Sequence, residues 1–167
     1  MINPRPADVL KTIIANLESK VEPKLTDVDV LSAVTTCKHM VRYVLYQLAQ
    51  ERTIYLAELP RLNELLGQSQ AFLAVAEGQQ ALAQATAEAL NADAGDLGDI
   101  EALAARVLTL REALYQVLSR LTEQRDALRG QHGYQELRAA IRDYLAWQNV
   151  QDEAIIGPSF FGQGPRR

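Results

Sequence analysis

Residues 27–52 read DVDVLSAVTTCKHMVRYVLYQLAQER, and the spacing of their apolar side chains decides the fold class. Val30, Val34, Cys37, Val41, Val44 and Leu48 follow one another at alternating steps of four and three, and Leu31, Met40 and Leu45 widen the row. Side chains three and four apart share one face of a helix, so the row predicts an amphipathic helix over about Asp27–Arg52. Its β-branched content favours a strand, but strict alternation is missing and the row outlasts a typical strand of about six residues. Thr26 or Asp27 can cap it by accepting from an exposed backbone N–H.

The same reading extends in both directions. Pro4 and Pro6 precede Val9, Leu10, Ile13, Ile14, Leu17 and Val21, a first helix that Pro23 ends. Arg52-Thr53-Ile54-Tyr55 is a predicted connection, followed by a short helix with Pro60 near its start and Leu59, Leu62, Leu65 and Leu66 on one side. Gly67 ends or kinks it. Gln68 to Leu90 is Ala- and Gln-rich, weakened by Gly78, with little apolar bulk, and predicts a thinly buried helix. Asn91 to Asp99 is the clearest break, with Asp96 or Asp99 able to cap the next helix. That helix runs to about Arg129 along Leu103, Val107, Leu110, Leu114, Val117 and Leu121, and Gly130 suits a left-handed residue after it. A last helix spans Tyr134 to about Gln151. No stretch alternates with a period of two, so no sheet is expected.

The expected fold is all-α: a bundle of four main helices, one or two short ones and an irregular C-terminal tail. The 167 residues are 48% hydrophobic and 23% charged, enough for one domain with a real core. Residues 1–151 are read as that domain and 152–167 as an irregular apolar tail. The Gly/Asp break could divide the chain, but neither half promises a comfortable core alone. A net charge of −4 and a pI near 5.2 give no sign of nucleic-acid or anionic-membrane binding. The N-terminus lacks the basic and apolar run of a leader, and no stretch approaches the ~18 apolar residues of a span. A single cysteine fits a reducing compartment, and a cytoplasmic location is expected.

Chemistry is sparse. Neither G-x-x-x-x-G-K-[ST] nor G-x-G-x-x-G occurs. Cys37 and His39 lie about 200° apart around a helix and cannot share a metal, and no Glu-x-x-His pair is present, so no metal site and no cofactor are expected. Cys37 sits in the apolar row and reads as a core residue. No catalytic residue is nominated. Lys38, His39, Arg42, Tyr43 and Tyr46 lie beside that row. His39, Arg42, Tyr43 and Tyr46 are candidates for an anionic ligand or a partner, Arg42 supplying a planar fork, against the plainer reading of a solvated flank. Trp147, the sole tryptophan, either anchors the last helix or serves as an interface hot spot. Phe160 and Phe161 in the Gly/Pro-broken tail either pack back on the bundle or dock into another protein.

Arg5-Pro6-Ala7-Asp8-Val9-Leu10, Leu17-Glu18, Val21-Glu22-Pro23-Lys24-Leu25, Ser32-Ala33 and Glu64-Leu65-Leu66-Gly67 carry a resemblance. It covers about residues 4–67 and, less clearly, 137–145. Over these the chain resembles a family of small helical proteins encoded beside acyl-CoA dehydrogenase-like proteins and phosphotransferase-like kinases, and is similar to the accessory subunit of a 4-hydroxyacyl-CoA kinase. The resemblance implies a non-catalytic accessory subunit with a phosphotransferase-like kinase or an acyl-CoA-processing enzyme as protein partner. Two alternatives stand beside it. One is a bundle that binds acyl-CoA or a nucleotide. The other is a self-assembling structural protein, a homo-oligomer packed through Gln68 to Leu90.

Overall fold

The computed structural model describes residues 5–93 and 95–160, with side chains for all of these except Ile155 and residues 157–160. Among the described residues 86% are helical and none lies in a strand, so the chain is an all-α helical bundle. No helix among them is long and apolar enough to cross a membrane.

The first helix, α1, spans Pro6–Asn16 with its proline in the first turn, where a missing N–H costs nothing. It passes into a π-helical turn, Leu17–Val21, and a 3-10 turn, Glu22–Lys24. Pro23 sits inside that last turn, and the chain becomes extended at Leu25. The second helix, α2, then runs from Val28 to Val75 without interruption. Asp27 caps it, its carboxylate accepting from the backbone N–H groups of Asp29 and Val30 at 2.9 and 3.2 Å.

Neither the connection expected at Arg52–Tyr55, nor a new start at Pro60, nor an end at Gly67 occurs within α2. Arg52 to Tyr55 is helical because the segment contains no Gly or Pro and Tyr55 packs against the core. Pro60 starts no new helix. It cannot donate to the Leu56 carbonyl, yet the helix runs through it. Gly67 costs about 1 kcal/mol relative to alanine, and the burial of Leu62, Leu65, Leu66, Phe72 and Leu73 around it outweighs that. The chain breaks instead at Gly78, whose φ of +72° turns it out of the helix.

Beyond the turn, α3 spans Gln80–Asn91 and buries only the small side chains of Ala83 and Thr86, in keeping with its composition. The fourth helix, α4, is Ile100–Glu123, capped by Asp99, which accepts from the Glu101 N–H at 3.2 Å. A single turn, α5 at Arg125–Leu128, follows. The left-handed residue beyond it is Gly133, at φ +86°, not Gly130. The last helix, α6, is Tyr134–Phe160. It therefore continues through 152–160, which the sequence suggests is irregular: Asp152 to Ile156 are competent helix formers, and Pro158 forfeits one hydrogen bond without unwinding them. Residues 161–167 lie outside the described residues.

The described chain falls into two compact units. The central unit is Arg52–Gln148; the terminal unit holds the residues up to Glu51 and those from Asn149 onward. The boundaries do not follow the Gly/Asp break, which lies within the central unit.

The central unit closes around its own core. Leu62, Leu66 and Leu73 of α2 meet Val107, Leu110, Val117 and Leu121 of α4, with Leu128 of α5 and Leu137 and Ile141 of α6. Arg106 closes the end of α3, its guanidinium donating to the Ala89 and Leu90 carbonyls at 2.6 and 2.8 Å, where a cation also meets the negative end of the helix dipole. The terminal unit is built otherwise. Among its described residues no apolar side chain is buried; the buried ones are Lys38 and His39.

Candidate functional site

In the terminal unit the predicted basic cluster is brought together, but its charges are answered from within. Lys38 is 2% exposed, with its ammonium 2.6 Å from Glu22 and 3.6 Å from Glu18. Arg42 donates to the same Glu18 carboxylate at 2.5 Å. The two carboxylates come from the π-helical and 3-10 turns after α1, which is how α1 is tied to α2. A buried ammonium requires such partners. His39, predicted on the solvated flank, is buried. Burial, and then the positive charges of Arg42 and Lys38, lower its pKa from the usual 6.5. Tyr43 and Tyr46 sit on the same flank, each a little over one-third exposed.

Helical geometry explains the reversal. Lys38 and Arg42 point toward the segment carrying Glu18 and Glu22, so most of the apolar row of α2 is left facing outward. Val30, Val44 and Leu48 are 44, 42 and 50% exposed, and Met40 beside them is 62% exposed. Cys37, expected in the core, is exposed as well. Val34 and Val41 are half-buried at the edge.

The central unit holds a second cluster that sequence reasoning missed. Glu58 of α2 is completely buried. Arg111 of α4 grips its carboxylate with two parallel hydrogen bonds, Nε and Nη2 each at 2.7 Å. The Tyr144 hydroxyl of α6 donates to the same carboxylate at 2.6 Å. Burial raises the Tyr144 pKa, and the hydrogen bond to Glu58 reinforces the rise, so the phenol keeps its proton. The hydrogen bond to Glu58 likewise raises the Arg111 pKa. Three helices are thus joined at one carboxylate, and the groups that could move a proton are committed to each other. A signal was present: Glu58 falls in step with Leu62, Leu65 and Phe72, an acidic residue in an apolar row.

No family model, no curated protein and no solved structure matches the chain.

Trp147 lies half-buried at the edge of the central core, 6.2 Å from the Tyr144 ring, with the Arg61 guanidinium 4.9 Å above its centre. An open groove of about 300 Å³ passes alongside, lined by Arg61, Glu64, Gln68, Asp143 and Tyr144. Its two carboxylates outnumber its one cation, a poor match for a CoA or nucleotide phosphate. Phe160 closes α6 in its backbone; its side chain, and all of Phe161, lie outside what is described. Among the described residues no three His, Cys, Asp or Glu side chains are placed to share a metal ion.

Proposed function

We propose that the protein is a non-catalytic interaction subunit whose partner is a phosphotransferase-like kinase or an acyl-CoA-processing enzyme. The observation that supports it is the outward-facing apolar row of α2, from Val30 to Leu48, in a unit with no buried apolar side chain among its described residues. Exposed apolar surface of this kind is what a protein contact covers. The resemblance of residues 4–67 supplies the class of partner. On this reading the partner gains a stabilised, competent conformation and the chain gains the cover that the terminal unit lacks.

Co-expression with any phosphotransferase-like kinase or acyl-CoA-processing enzyme among its gene neighbours tests the proposal. A complex that survives gel filtration, raises the partner's activity and is lost in Met40→Asp/Val44→Asp is the expected outcome. No complex with any neighbour and unaltered activity would contradict it.

A further inference from the structure

Glu58 sets the strictest packing demand in the central unit. Its carboxylate is completely buried, Arg111 holds it with two hydrogen bonds of 2.7 Å, and Tyr144 donates to it at 2.6 Å. Taking a carboxylate and a guanidinium out of water costs about as much as their attraction returns, so such a group adds little stability over apolar residues of similar size. Losing one partner is a different matter, because a buried charge is then left unanswered. A group of this kind penalises every arrangement except the one that satisfies it.

The apolar seams around it make no such choice. Leu103, Val107, Leu110, Leu114, Val117 and Leu121 of α4 step by 4-3-4-3-4, the heptad spacing of helices that pack along one another. A slide of α4 by one heptad, about 10.5 Å, sets Leu103 where Leu110 was and Val107 where Leu114 was, apolar for apolar. A slide by a single turn exchanges the two steps of the seam and also keeps it apolar. The place of Arg111 fares differently. One turn away it is taken by Val107, Leu108, Leu114 or Tyr115, and one heptad away by Ala104 or Leu118. None of these is a cation. Arg106, five residues back, lies on another side of the helix and is bound to the end of α3. Sliding α6 by a heptad likewise brings Leu137 to the place of Tyr144.

We infer that Glu58, Arg111 and Tyr144 form a register lock: they fix how α2, α4 and α6 align lengthwise in the central unit, while the leucine and valine seams supply its stability. Glu58 makes the demand, Arg111 marks the step of α4 that meets it, and Tyr144 marks the step of α6.

Glu58→Leu/Arg111→Met/Tyr144→Phe in the full chain tests it. Urea unfolding followed by circular dichroism is expected to keep its midpoint at or above that of the wild type. Arg111→Met alone is expected to lower the midpoint, and adding the other two substitutions to restore it. The amide NMR spectrum of the triple variant is expected to change from one peak per residue to doubled or broadened peaks over 100–123 and 134–148, as α4 and α6 sample more than one alignment. A triple variant with one sharp set of peaks would overturn the lock, because the seams would then choose the alignment unaided. A midpoint well below the wild type, or failure to fold, would overturn it as well, because the three residues would then be a source of stability.

Discussion

Two stretches of this chain carry the same apolar register and come to opposite ends. From Leu103 to Leu121, α4 presents its seam to α2, α5 and α6 and is sealed within the central unit. From Val30 to Leu48, α2 leaves Val30, Cys37, Val44 and Leu48 of the same seam exposed and Val34 and Val41 half-buried. The difference is made by neighbours. The segment after α1 offers Glu18 and Glu22, and it meets the side of α2 that carries Lys38 and Arg42. Ion pairs thus hold the Lys38 and Arg42 side of α2 inward, and most of the seam stays open. A heptad row shows that a helix has a seam to cover; it does not say what covers it.

Buried polar groups are expected to give the sharpest contrast. Arg111→Ala leaves the Glu58 carboxylate fully buried beside Tyr144 alone, and denaturant unfolding followed by Trp147 fluorescence is expected to show a loss of about 3–5 kcal/mol. Arg42→Ala removes a partner from Glu18, which is open to water, and is expected to cost under about 1 kcal/mol by circular dichroism. Equal losses would remove the distinction between the two units.

Matched positions sharpen it further. Val117 and Val44 occupy the same step of the two rows, one fully buried and one 42% exposed. Val117→Ala is expected to destabilise the chain by about 2 kcal/mol. Val44→Ala is expected to change it by under about 0.5 kcal/mol.

The smallest effect concerns His39. Its folded pKa lies below 6.5, so the unfolded chain takes up this proton first as the pH falls. Stability from this group is complete above about pH 6.5 and declines below it. Unfolding of wild type and His39→Gln between about pH 7 and 5 is expected to show the steeper acid decline in wild type. Parallel curves would mean that the imidazole is solvated.

The helical class, the α4 row and the Asp99 cap were legible because each is written locally: a period, and a capping residue before it. The length of α2 was not. Pro60 and Gly67 are local breakers, and the burial that overrides them comes from α4 and α6, far away in sequence. Glu58 hid for the same reason: an acidic residue in a leucine row is explained only by Arg111 and Tyr144, fifty-three and eighty-six positions on. Cys37 and His39 exchanged their expected places, exposed for buried, because the sequence marks the apolar face of a helix and not the face its neighbours approach.

Hydrogen exchange of the full chain at low protein concentration reads the contrast between the two rows directly. Amides of residues 103–121 are expected to be strongly protected and those of 30–48 to exchange fast. Equal protection of both stretches would contradict this, because the row of α2 would then be covered by its own chain.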